Sequence, residues 1–139
     1  MPQVNFDEWY TRRKGGHKIK MGNKKEKTKE DRILAEERKL KRIFKILEKD
    51  KLTIAAKLCK KAAFMDVTLD DMQVQITTEG FTKKAVNGNG FTVEMDHPAL
   101  KSYNTMIKNY NTVMKQLIDL LPEDTEEVDE LLLHIRGKQ

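Results

Sequence analysis

The sequence predicts an all-α protein, a small helical bundle built around one long heptad-patterned helix at about residues 98–121. The first observation is a run of apolar residues spaced alternately three and four positions apart. Its members are Leu100, Tyr103, Ile107, Tyr110, Met114, Leu117 and Leu121. The second is a proline at each end: Pro98 suits a first helical turn, and Pro122 stops the helix. The third is a glycine- and asparagine-rich stretch at about 81–95, which predicts a short β-hairpin or loop insert.

The heptad seam requires a second helix along its length. One interpretation is a core helix within a single small bundle. The other is a helix that packs subunits together in an oligomer, with the seven seam residues as the oligomerisation contacts. The spacing alone is compatible with both.

The length and composition set limits on the protein class. The chain has 139 residues, 35% charged and 38% apolar, so one modest domain with a small core and solvated tails is expected. Its apolar runs are too short to span a membrane, and no secretory leader pattern opens the sequence. The single cysteine, Cys59, rules out an internal disulfide and suits a reducing compartment, so a cytoplasmic protein is expected.

Charge divides the chain into three parts. Residues 11–27 carry a net charge of +7 and residues 123–139 a net charge of −4. We therefore predict a basic, disordered arm at 1–27, a helical oligomerisation core at 28–122 and an acidic amphipathic tail at 123–139. Opposite charges at the two ends indicate two different partners, one of them a polyanion.

The basic arm has glycines among its cations and too little apolar surface to order itself. Its cations are able to neutralise phosphates with release of counterions, although a solubilising tail has the same charge pattern. The predicted DNA-binding residues of the arm are Arg12, Arg13, Lys14, Lys18, Lys20, Lys24, Lys25 and Lys27.

A first helix is predicted after the arm. Thr28 and Asp31 have the spacing of a capping box, and the helix is expected to reach about Glu48. Arg38, Arg42, Lys45 and Lys49 follow one another on one face at spacings of four, three and four. They either extend the phosphate-binding surface of the arm or form an ordinary solvated face.

The second helix is predicted from about residues 50–53 to Thr78, with Gly80 as its terminating glycine. Cys59 lies on its apolar face, where a small core residue is a better interpretation than a nucleophile. The sequence Asn87-Gly-Asn-Gly90 then indicates a turn, and Phe91, Val93 and Met95 alternate after it as in a strand.

A short last helix is predicted after Pro122, with Asp124 or Thr125 as its cap. Its apolar residues fall on one side, and a helix of this length is marginal alone in water. It either docks on another protein or packs on its own body. The predicted partner-binding residues are Val128, Leu131, Leu132 and Ile135.

Catalytic and metal-binding patterns are missing from the sequence. His17, His97 and His134 have no metal-ligand spacing to Cys59, and neighbouring acids such as Asp70 and Asp71 usually form a wet helix face. There is no phosphate-binding Walker loop and no nucleophile elbow. We therefore expect a protein that is not an enzyme and that holds neither metal nor cofactor.

Several segments together resemble the small terminase subunit of tailed bacteriophages. They are Gly80-Phe-Thr, Asn87-Gly-Asn-Gly90, His97-Pro-Ala-Leu-Lys101 and the Leu-Leu-Pro122 that ends the long helix. The resemblance covers about residues 45–122, and its most specific segment is His-Pro-Ala-Leu after a glycine-bearing hairpin.

The resemblance implies a helical protein that assembles into a ring, binds double-stranded viral DNA and passes it to a large subunit carrying an ATPase and a nuclease. It places the protein in the cytoplasm of an infected bacterial host. The basic arm would then contact DNA, the heptad helix would assemble the ring, and the tail would contact the large subunit. The alternative is a free-standing nucleic-acid-binding or regulatory protein without a packaging role.

Overall fold

The computed structural model describes residues 25–137 and contains in them four helices and a two-stranded antiparallel sheet. Its elements are α1 (Lys29–Ile43), a 3-10 turn (Phe44–Ile46), α2 (Lys49–Glu79), β1 (Thr82–Val86), β2 (Thr92–Asp96), α3 (Pro98–Leu120) and α4 (Glu126–Arg136). The mostly helical architecture and the short hairpin are confirmed. None of these four helices is long and apolar enough to cross a lipid bilayer.

Helix α1 begins at the predicted capping box. The Thr28 hydroxyl accepts a hydrogen bond from the Asp31 N–H, and the Asp31 carboxylate accepts one from the Thr28 N–H, both at 3.2 Å. The helix ends at Ile43, earlier than the predicted Glu48, because the chain tightens into a 3-10 turn at the fully buried Phe44. Helix α2 follows at Lys49.

Helices α2 and α3 form an antiparallel pair. Glu79 at the end of α2 bonds to His97 at the start of α3, while Ala62 in α2 and Leu117 in α3 share the core. The alanines of α2 are small, which lets neighbouring helices approach closely. The buried core is built from Leu40, Ile43, Phe44, Ala55, Cys59, Ala62, Val113, Met114, Leu117, Leu121 and Leu131.

Helix α3 has the boundaries that its sequence predicts. His97 is its cap, since the ring Nδ1 accepts a hydrogen bond from the Ala99 N–H at 3.0 Å. Pro98 occupies the first turn, and Leu121 is already extended before Pro122.

A hairpin connects α2 to α3. Its strands pair from Thr82 opposite Asp96 to Val86 opposite Thr92. In the turn, the Asn87 side-chain oxygen accepts hydrogen bonds from the backbone N–H groups of Asn89 and Phe91, both at 3.0 Å. Gly90 has φ +81°, a conformation that favours glycine. The Asn-Gly-Asn-Gly sequence therefore forms a β-hairpin and not an irregular loop.

Helix α4 packs on the body of its own chain. Leu131 is fully buried within the core cluster, and Val128 and Ile135 lie against it. This is one of the two arrangements that the sequence left open. Because the chain provides its own partner surface, an otherwise marginal helix is stabilised by burial of its apolar side.

Candidate nucleic-acid interface

An exposed cationic surface runs along α1. It consists of Arg38 and Arg42 of α1 and of Lys45 in the 3-10 turn that follows, and we call it the α1 basic stripe. The predicted continuous helix face is therefore interrupted after Arg42, because α1 ends at Ile43. These residues lie on the side of the helix away from the buried Leu40 and Ile43. Within residues 25–137 none of the three forms an ion pair, so their charges face solvent uncompensated.

The other cations of α1 are neutralised by carboxylates. Arg32 and Lys29 both contact Asp71 of α2, the lysine at 3.8 Å. Lys39 pairs with Glu36 and Lys41 with Glu37 within the helix. The structure thus separates the α1 cations into a compensated group and the α1 basic stripe. Of these two groups, only the α1 basic stripe has charges that are not paired with carboxylates within the described residues and are available to bind a polyanion.

The stripe continues in sequence toward the basic arm. Lys25 and Lys27 are exposed just before the Thr28 cap. The remaining predicted arm residues, Arg12, Arg13, Lys14, Lys18, Lys20 and Lys24, lie outside the described residues. The predicted DNA-binding residues that the structure describes are therefore two lysines before α1, two arginines on it and one lysine in the 3-10 turn after it.

Further exposed lysines occupy the first half of α2. They form no ion pair within residues 25–137, and they are Lys49, Lys51, Lys57, Lys60 and Lys61. Lys49, which the sequence pattern assigned to the first helix, begins α2, whereas the other four were not among the predicted binding residues. The signal available in the sequence was the local excess of lysine, since Asp50 is the only acid in this stretch. These residues widen the cationic surface beyond α1.

The heptad seam of α3 divides into two halves. Met114, Leu117 and Leu121 are buried in the core of their own chain, beside Leu40 of α1 and Leu131 of α4. Leu100, Tyr103, Ile107 and Tyr110 are only half-buried. The intramolecular bundle therefore accounts for the second half of the seam and leaves apolar surface along the first.

A polar contact links α4 to α1 beside the core. The His134 Nε2 lies 2.6 Å from the Glu36 Oε1, and the Glu36 side chain is largely buried. Nearby, burial raises the pKa of Tyr110 to about 12, and the charges of Glu36 and Asp70 add to this rise. The Tyr110 phenol therefore stays neutral at neutral pH, and this polar cluster serves packing.

A second histidine bridges α2 and α3. The Nδ1 of His97 accepts the Ala99 N–H, so its Nε2 carries the proton that is donated to the Glu79 carboxylate at 2.7 Å. Hydrogen bonds from Lys83 and then His97 lower the pKa of Glu79 to about 2. His97 is thus a structural residue that caps one helix and ties it to the preceding one.

Cys59 lies fully buried in the core, as its apolar helix face indicates. Burial raises the pKa of its thiol to about 11, so the reactive thiolate is scarce at neutral pH. Within residues 25–137 no three His, Cys, Asp or Glu side chains converge on a position that would hold a metal ion.

The predicted partner-binding residues of α4 are mostly engaged within the chain. Leu131 is fully buried, and Val128 and Ile135 pack on the core, whereas Leu132 is exposed. A partner that bound all four side chains would have to displace α4 from the body. In the packed state, Leu132 and Leu133 are the apolar side chains that this helix presents to solvent.

Comparisons of this chain with protein-family models, with curated proteins and with solved structures found no match.

Proposed function

We propose that this protein is the DNA-recognition, or small terminase, subunit of a phage DNA-packaging motor. The observation that supports the proposal is the α1 basic stripe, three exposed cations without an ion pair within residues 25–137, two on α1 and one in the 3-10 turn after it. The resemblance of residues 45–122 to small terminases supplies the packaging context.

The proposed mechanism is electrostatic and involves no bond chemistry. Arginine and lysine side chains of the arm and of the stripe contact backbone phosphates and release condensed counterions. Such contacts position a protein on DNA and carry no sequence information directly. Arg38 and Arg42 are about 6 Å apart along α1 at a rise of 1.5 Å per residue, and Lys45 follows in the 3-10 turn, so the stripe spans a short length of duplex.

Assembly of several chains would multiply this weak contact. The bundle covers Leu100, Tyr103 and Ile107 only in part, and the exposed part of each offers apolar surface on α3. A ring built through this surface would hold many basic stripes and arms on one duplex. Binding of linked sites then becomes intramolecular, which strengthens overall affinity without new contacts at any single subunit.

The large subunit is the second proposed partner. Helix α4 has acids in its first turn, and Leu132 and Leu133 are exposed on its outer side. A groove with apolar pockets and a basic rim would complement this face. The large ATPase–nuclease subunit is thereby recruited to the DNA that the ring holds.

Two triple variants test the DNA interface. Changing Arg38, Arg42 and Lys45 together to alanine removes the stripe. Changing Lys101, Lys108 and Lys115 of α3 to alanine removes the same charge from another exposed face and is the matched control. Duplex affinity is measured across a salt series, and the log–log slope should fall by about 0.9 for each phosphate that the variant no longer neutralises. Equal slopes for the two variants would contradict the proposal that the α1 basic stripe contacts DNA.

The packaging role is separable from free-standing DNA binding. A small terminase should associate with a large subunit that contains a Walker-box ATPase and a nuclease. We expect tagged protein from infected cells to retain such a subunit, and Leu132→Ser with Leu133→Ser to lose it while DNA affinity is unchanged. Retention of DNA alone would favour the free-standing protein.

A further inference from the structure

The hairpin between α2 and α3 has two unpaired edges. Within residues 25–137 the sheet consists of β1 and β2, so in this part of the chain each strand has a neighbour on one side only. Both strands are mostly exposed and contact each other far more than any helix. An isolated two-stranded hairpin is marginally stable in water, and its edges present unpaired backbone groups.

The hydrogen bonds of the hairpin show which backbone N–H and C=O groups point away from the partner strand. The His97 N–H donates to the Phe81 carbonyl at 2.7 Å, and the Asn87 N–H donates to the Phe91 carbonyl at 2.9 Å. In an antiparallel ladder the bonded pairs alternate, so the intervening odd-numbered residues point their backbone groups inward. The backbone groups that point outward belong to Thr82, Lys84 and Val86 on β1 and to Thr92, Glu94 and Asp96 on β2.

The hairpin also exposes large apolar side chains. Phe81 and Val86 are each 71% exposed, and Phe91 is 69% exposed. Together with the half-exposed Met95, they form an apolar border around both strands. Exposed apolar side chains of this size beside open strand edges are typical of surfaces that bury against another chain.

The two edges carry opposite charges. The outward residues of β1 include Lys84 and no acid, whereas those of β2 include Glu94 and Asp96 and no base. Lys84 and Asp96 form no ion pair within residues 25–137, while Glu94 accepts a hydrogen bond from Thr82. Like charges placed directly opposite each other destabilise a strand pair, and opposite charges stabilise it.

We propose that the β1 edge of one copy of this chain pairs with the β2 edge of a second copy, so that hairpins join into a continuous intermolecular sheet. The occupant is a second copy because each edge carries the charge that the other edge complements. Pairing of two β1 edges or of two β2 edges is disfavoured by like charges.

Pairing between unlike edges determines how several copies would assemble. Pairing of β1 with a neighbour's β2 is head-to-tail, so every copy keeps one free edge of each kind for the next copy. Such an interface closes into a ring when the rotation allows, and otherwise extends into a filament. The inference rests on the proposed self-assembly and adds a second interface to the one proposed along α3.

A charge-swap experiment on the full-length protein tests the pairing. Lys84→Glu makes both edges acidic, and Glu94→Lys with Asp96→Lys makes both edges basic. Each variant alone should self-associate about tenfold more weakly or worse, because its own edges repel. Each variant also places like charges opposite each other within the hairpin, where Lys84 faces Glu94, and mixing the two variants leaves that intramolecular pair unchanged. An equimolar mixture should assemble again, with the two variants alternating. Light scattering gives the size, and native mass spectrometry gives the composition.

The controls separate this interface from the seam and from misfolding. Lys108→Glu makes the same charge change on an exposed position of α3 and should leave assembly unchanged. Recovery of assembly in the mixture shows that both variants are folded. The hairpin pairing is overturned if both charge variants keep the wild-type size, or if their mixture does not assemble. Either result leaves the proposed interface along α3 intact. A monomeric wild-type protein at micromolar concentration overturns both.

Discussion

His134 in the last helix and Glu36 in the first lie 2.6 Å apart across 98 positions of sequence. The contact closes the bundle beside the buried Leu131, so α4 belongs to the same folded body as α1. Stability measurements should therefore respond to changes in α4, although this segment lies beyond the Pro122 stop and is rich in acids.

Leu131→Ala should destabilise the whole fold. Its side chain is 0% exposed, and truncation of a buried leucine leaves a cavity that costs about 2–5 kcal/mol. Leu133→Ala, two positions away and 67% exposed, should change the free energy of unfolding by less than about 0.5 kcal/mol. Urea denaturation measures both. If both substitutions changed the unfolding free energy by similarly small amounts, α4 would be detached from the body in solution.

A double-mutant cycle on His134 and Glu36 should give a coupling energy of about 0.5–3 kcal/mol, because the two side chains are in contact and mostly buried. The cycle on Lys39 and Glu36 is the comparison. That pair is 3.9 Å apart with an exposed lysine, and its coupling should stay below about 1 kcal/mol. Additive effects in the histidine cycle would show that the contact contributes nothing to stability.

The local features of the fold follow from short-range chemistry. The Thr28 capping box, the His97 cap before Pro98 and the turn at Asn87 each depend on residues within four positions of one another. Sequence patterns predict such features because the interacting groups are neighbours in the chain. The helix content and the hairpin were therefore predictable.

Side-chain contacts between residues far apart in the sequence determine the features that sequence patterns could not predict. The contact of His134 with Glu36 and the ion pair of Arg32 with Asp71 join distant positions, and no periodicity identifies such partners. The first contact joins α4 to α1 beside the buried Leu131. The second neutralises Arg32, which is one reason why the α1 basic stripe stands apart from the other cations of its helix.

Glu79→Gln should remove a pH-dependent part of the stability. The hydrogen bonds from Lys83 and His97 lower the pKa of Glu79 from 4.5 to about 2 in the folded protein. Its contribution is therefore complete above pH 4.5, declines as pH falls toward 2, and is absent below that value. The difference in unfolding free energy between wild type and variant should shrink over this range.

Urea titrations at several pH values measure this difference. Glu48→Gln is the control, because Glu48 is exposed and makes no ion pair within the described residues. The difference in unfolding free energy between Glu48→Gln and wild type should change much less between pH 6 and pH 3. A Glu79→Gln difference that stays constant over the same interval would show that the Lys83 and His97 contacts do not stabilise the carboxylate in solution.

Ile107 and Met114 should separate assembly from folding along α3. Met114 is 4% exposed in the core of its own chain, so Met114→Ala should cost about 2–5 kcal/mol of unfolding free energy. Ile107 is partly buried in the first half of the seam, so Ile107→Asp should lower the unfolding free energy of the chain and should also place a charge where a second copy packs. Light scattering should then show a smaller species, whereas Lys108→Asp at the exposed neighbouring position should keep the wild-type size. An Ile107→Asp protein with unchanged size would exclude this half of α3 as the assembly surface.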